Sequence, residues 1–155
     1  MKRQKEEAMM KYWIFTHTGD MAGETFKQLI KSGNWGFELR KPTRTKIQSL
    51  KAGDIVMFYI GGPNGGFLCG EAKLKTDVHK PSRQSIGGPR EMNLDAMVDF
   101  DTVNLWDGKR VVAKDRAIRD KLSFIKNKDN WGMTFGQSLV SISENDYQGI
   151  KTLIS

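Results

Sequence analysis

The sequence predicts a small α+β domain: a mixed, mostly antiparallel curved sheet or barrel, with helices near the start, middle and end of the chain. Three observations carry this. Short apolar runs rich in aromatic and β-branched residues, such as Tyr12-Trp13-Ile14-Phe15 and Ile55-Val56-Met57-Phe58-Tyr59-Ile60, recur between turn residues. The strand–helix–strand alternation of a parallel sheet is missing. No segment repeats, which removes solenoids and propellers.

The elements follow in order. Tyr12 to Phe15 reads as a buried strand that ends at the polar Thr16-His17-Thr18-Gly19-Asp20. From Glu24 to Lys31, Phe26, Leu29 and Ile30 recur at helical spacing, and Gly33 suits the left-handed cap position that stops the helix. Trp35-Gly36-Phe37 and a basic stretch follow, and Ile47 and Leu50 anchor a helical turn. Lys51-Ala52-Gly53-Asp54 is a turn before a central strand over 55–60. A glycine-rich connection, residues 61–66, joins it as an antiparallel hairpin to a strand over 67–74.

Residues 78–93 read as a mobile surface loop. Met97 to Val103 alternates as a half-exposed strand, Asp107-Gly108 is a hairpin signal, and Arg110 to Ala113 is the return strand. A helix is expected over 115–122, and 124–139 reads as irregular. Ser143-Glu144-Asn145-Asp146 resembles a capping signal for a last helix that turns Tyr147, Ile150 and Leu153 inward.

The 155 residues suit one domain, expected over 12–155 behind a charged extension, 1–11. The single cysteine, Cys69, excludes an intrachain disulfide. The charged start has no apolar core of signal-peptide length, and no run approaches the roughly 18 apolar residues of a membrane span. A soluble, cytoplasmic protein is the expectation. The net charge of +7 favours polyanions, although solubility alone accounts for many basic proteins.

Most chemical motifs fail on inspection. The 61–66 loop has neither a Lys-Ser/Thr ending nor a following helix, so a hairpin turn accounts for it better than a phosphate cradle. His17, His79 and Cys69 are too dispersed for a metal site. Cys69 with His17 lacks an orienting acid, and Asp99 and Asp101 look like exposed positions of a half-buried strand. No catalytic residue, cofactor or metal is therefore predicted.

The aromatics say more. Trp35 and Trp131 sit in segments of turn-like composition and not mid-strand. Either they cover one end of the sheet as core or rim residues, or they form a stacking wall for a flat ligand. Basic residues accompany both: Arg40, Lys41, Arg44 and Lys46 after Trp35, and Lys126 and Lys128 before Trp131. They form a solvated face or a cationic rim that holds a nucleic-acid backbone.

The order of motifs resembles the EVE domain. The resemblance rests on Tyr12-Trp13-Ile14-Phe15, Trp35-Gly36 after the first helix, the Leu50 to Asp54 turn, the strand ending in Tyr59, and Leu122-Ser123-Phe124-Ile125-Lys126-Asn127-Lys128 with Trp131 and Phe135. It covers about residues 11–154 and implies a PUA-like barrel related to YTH domains. It further implies a base-sized pocket between the first strand, the Trp35 segment and the late block. Trp35 and Trp131 lead the pocket, with Phe15, Thr16, His17 and Thr18 at the strand end, Asn127 reading the base edge, and Phe37 and Phe135 completing the wall.

The expected function is recognition of a modified nucleobase in DNA or RNA, with nucleic acid as partner. One rival is a sensor of a small planar metabolite such as a free nucleoside. Another is a hydrolase or transferase built on the carboxylates near Asp99.

Overall fold

A computed structural model of the chain describes residues 10–17, 22–37, 44–61, 66–80, 96–106, 123 and 139–154. Their elements are β1 (Tyr12–His17), α1 (Ala22–Ser32), β2 (Asn34–Phe37), α2 (Arg44–Gln48), β3 (Ile55–Ile60), β4 (Phe67–Leu74), β5 (Ala96–Leu105), β6 (Leu139–Ile142) and α3 (Glu144–Ile154). The strands form one mixed sheet in the order β2-β5-β4-β3-β1-β6. Only β1 and β3 run parallel, with Tyr12 opposite Ile55 and His17 opposite Ile60. A parallel pair needs a long crossover, and α1, β2 and α2 make it.

The sheet is curled into a half-barrel. In a flat sheet β2 and β1 would lie four strand spacings apart, about 19 Å. Instead Trp35 on β2 brings its ring to 5.4 Å from Phe15 on β1, centroid to centroid. Two bulges help the bend. Phe58 faces Gly70 whereas Tyr59 faces Leu68, so Cys69 is an extra residue on β4. Glu71 faces Asn104 whereas Lys73 faces Asp101, so β5 carries the extra residue there, where Thr102 has a φ of 52°. Bulges sharpen local twist and redirect side chains. Among the described residues, β2 and β6 remain open edges and the barrel is not closed.

Both faces of the central strands are buried, which is why β1 and β3 read as continuous apolar runs. Trp13, Phe15, Val56 and Phe58 point into the half-barrel, where α1 (Phe26, Leu29), β2 (Trp35, Phe37) and Ile47 of α2 close over them. Tyr12, Ile14, Met57 and Tyr59 point outward beneath Ile150 of α3 and Trp106.

The caps follow the chemistry of their residues. Gly33 has a φ of 76°, and its N–H donates to the Leu29 carbonyl at 2.9 Å, ending α1 as expected. Ser143 caps α3, its Oγ accepting from the Asp146 N–H at 3.1 Å. The Asp146 carboxylate turns elsewhere, accepting from the Ser123 N–H and hydroxyl at 2.9 and 2.7 Å.

Some expectations need correction. The Trp35 segment is a strand, β2, and Leu139, read as the end of an irregular stretch, opens β6. Their four-residue lengths carry too little alternation to announce a strand; pairing with β5 and β1 makes them strands. The loop expected over 78–93 begins as structure, because His79 and Met97 exchange two backbone hydrogen bonds of 2.8 Å. The hairpin at 107–108, the return strand at 110–113 and the helix at 115–122 lie outside the described residues.

Candidate functional site

The parallel pairing of β1 with β3 brings the end of β1 to an aromatic cluster. Phe15 meets Phe37 edge-on at 5.2 Å and Trp35 tilted at 5.4 Å. Trp35 stacks on Phe58, with centroids 5.4 Å apart and planes 22° from parallel. Among the described residues only Phe58 stacks on the indole; Phe26 meets it edge-on. Trp35 is 3 % exposed, Phe37 2 % and Phe15 0 %. These three sequence-predicted site residues are thus core side chains in the described structure.

His17 is the polar member. Its ring stands edge-on to Trp35 at 6.0 Å, and its carbonyl accepts from the Gly61 N–H at 2.8 Å. Partial burial pushes the imidazole pKa below its ordinary value, because desolvation disfavours the charged ring. Thr16, between Phe15 and His17, is buried and by strand alternation directs its side chain to the other face.

Phe15, His17, Trp35 and Phe37 are therefore brought together. Thr18, Asn127, Trp131 and Phe135 lie outside the described residues, as do Arg40, Lys41, Lys126 and Lys128. Arg44 and Lys46 are exposed on α2, whose Ile47 is anchored in the Trp35 core. Phe58 and Phe26 were missed as neighbours of the site. The sequence marks them as core, but only the curl of the sheet carries Trp35 onto them.

Besides Asp146, two carboxylates are buried among the described residues, and their partners are structural. Asp54 accepts from the Trp13 indole N–H at 2.9 Å and from the Lys11 and Lys51 N–H groups at 3.1 Å, tying the turn before β3 to the start of β1. Glu71 accepts from the Tyr147 hydroxyl at 2.5 Å, the Trp106 indole at 3.3 Å and the Lys151 ammonium, pinning α3 to β4. Burial, then the Glu71 carboxylate, raises the Tyr147 phenol well above its ordinary pKa.

The acids near Asp99 are engaged on the surface. Asp99 Oδ1 lies 3.1 Å from His79 Nε2, and His79 Nδ1 lies 2.7 Å from the Lys80 carbonyl. Both ring nitrogens of His79 thus lie within hydrogen-bonding distance of protein oxygens.

No family model matches the sequence, and no curated protein matches it. Solved structures match the fold across nearly the whole chain. Human THYN1 protein, in complex with DNA containing 5-methylcytosine, is 12 % identical with a TM-score of 0.63, covering 94 % of this chain and 98 % of that one. A protein of Agrobacterium tumefaciens is 18 % identical with a TM-score of 0.63, covering 94 % and 93 %. The YTH domain of Zygosaccharomyces rouxii MRB1 protein, in complex with N6-methyladenosine RNA, is 16 % identical with a TM-score of 0.58, covering 94 % and 87 %. The curled mixed sheet, the helix over its open face and the C-terminal helix beneath it are thus the α+β fold that this chain shares with the EVE and YTH domains.

Proposed function

We propose that the chain is a non-catalytic module that binds an unstacked, modified nucleobase of DNA or RNA at the end of β1, beside the aromatic core of the half-barrel. The observation that carries this reading is the half-buried His17 ring at the edge of the buried aromatic cluster of Phe15, Trp35, Phe37 and Phe58. It occurs in a fold that, in human THYN1 and a yeast YTH protein, is solved with methylated DNA and methylated RNA.

In this reading the late block, with Asn127, Trp131 and Phe135, completes the pocket within the single domain 12–155. Trp131 stacks on the base opposite the cluster, and Asn127 and Thr18 read its polar edge. A methyl group filling an apolar corner contributes about 0.8 kcal/mol, and stacking about 1–3 kcal/mol. Arg40, Lys41, Arg44, Lys46, Lys126 and Lys128 hold the phosphates without reading sequence. No cofactor is called for, since holding a base needs only stacking, hydrogen bonds and charge.

Titration of oligonucleotides carrying 5-methylcytosine or N6-methyladenine, against unmodified counterparts, tests the reading. The parent protein prefers a modified strand, and its affinity falls steeply with salt. Trp131→Ala loses about 1–3 kcal/mol of binding, and Trp35→Phe, which keeps the core filled, loses less. Equal binding of modified and unmodified strands by the parent overturns the proposal. A free nucleoside bound with little dependence on salt would support the metabolite sensor instead.

A further inference from the structure

We infer that His17 is a specificity-determining residue of this pocket, its imidazole hydrogen-bonding the edge of the bound base. The inference rests on the base-binding reading above and assigns the polar contact within it. Along β1, alternation turns Trp13, Phe15 and His17 to the same side, and the first two are buried in the half-barrel core. The third position thus sets a polar ring where the two before it set aromatic ones, at the point where β1 ends.

The ring packs against the buried Trp35 indole at 84°, so the imidazole is held in place at the rim of the aromatic core. The backbone of His17 is spent on Gly61, but neither ring nitrogen has a hydrogen-bond partner among the described residues. The chain's other histidine makes the contrast. His79 has both ring nitrogens within hydrogen-bonding distance of protein oxygens, those of Lys80 and Asp99. A half-buried polar group without a partner among the described residues holds hydrogen-bonding capacity for water or a ligand.

Burial keeps this imidazole neutral near pH 7, with one donor and one acceptor. The two nitrogens diverge, so one of them meets a single group of the base edge, an exocyclic amino or keto group or a ring nitrogen. The geometry also separates two tasks. An aromatic face is blind to base identity, whereas a directional donor or acceptor discriminates strongly when a wrong partner leaves it unsatisfied.

The test uses the full chain, labelled with nitrogen-15. Its two histidines give two sets of ring signals, assigned with His79→Gln. On titration with the preferred modified oligonucleotide, the His17 ring nitrogens shift and those of His79 stay. His17→Phe keeps a ring against Trp35 and removes the hydrogen bonds; it weakens the preferred strand about tenfold and narrows the margin over the unmodified strand. His17→Asn, which retains a donor and an acceptor, loses less. If the parent discriminates but the His17 signals do not move, or His17→Phe discriminates equally well, the role of His17 is overturned and the pocket stands. If the parent does not discriminate, the base-binding reading falls and takes this inference with it.

Discussion

Trp35 lies face to face with Phe58, centroids 5.4 Å apart, although β2 and β3 are separated by two other strands in the sheet. The contact is possible only because the sheet curls through its bulges, and it places an indole at the centre of the inner core. Trp35 therefore serves stability as well as any ligand, and loss of binding on its truncation is meaningful only beside a stability measurement. Trp35→Ala lowers unfolding free energy by about 3–5 kcal/mol, the usual cost of removing a large buried aromatic. Trp35→Phe costs less than half of that. Urea denaturation of the two variants checks the difference, and equal midpoints for Trp35→Ala and the parent would contradict the packing.

Asp54 gives a second stability prediction. Its carboxylate satisfies the Trp13 indole and two backbone N–H groups from separate segments. Asp54→Ala strands those donors and costs about 2–4 kcal/mol. Asp54→Asn retains an acceptor oxygen but not the charge, and falls between parent and Asp54→Ala. Thermal melts in parallel with hydrogen exchange at the Lys11 and Lys51 amides report both effects.

The outer face predicts a response to alkali. The Tyr147 phenol donates to Glu71 beneath α3, and its pKa is raised by burial first and by the carboxylate second. A tyrosine whose folded-state pKa exceeds its unfolded value of about 10 supplies stability below pH 10 that is lost as pH rises past it, because only the unfolded chain ionises easily. Stability thus declines above pH 10. Tyr147→Phe costs about 1–2 kcal/mol at neutral pH and flattens that decline. An unchanged alkaline profile in the variant would count against the Glu71 contact.

His17 predicts the opposite limb. Burial lowers its folded-state pKa, so the folded chain binds a proton less readily than the unfolded one. The stability this represents is fully present above the unfolded value of about 6.5 and is lost as pH falls through the folded value. The melting temperature of the parent therefore drops between pH 7 and pH 5, and His17→Phe removes part of that drop. His79→Gln serves as the control for the chain's other histidine.

Much of the architecture was legible in the residues. Aromatic and β-branched runs mark β1 and β3, the spacing of Phe26, Leu29 and Ile30 marks α1, Gly33 marks its end, and Ser143 marks the start of α3. Each rests on a local rule, since the hydrogen bonds and dihedrals concerned lie within a few residues. β2 and β6 were not legible. Asn34-Trp35-Gly36-Phe37 and Leu139-Val140-Ser141-Ile142 are too short to reveal a period, and pairing with distant strands defines them.

The site divides the same way. The local composition singles out Trp35, and the resemblance to the EVE domain adds Phe15 and His17 with their aromatic or polar character. Whether an indole meets Phe58, whether an imidazole stands against that indole, and whether Asp54 caps a turn or does chemistry depend on contacts across tens of residues. Such contacts follow from strand order, the curl of the sheet and two bulges that flip side-chain parity, and no local periodicity encodes them.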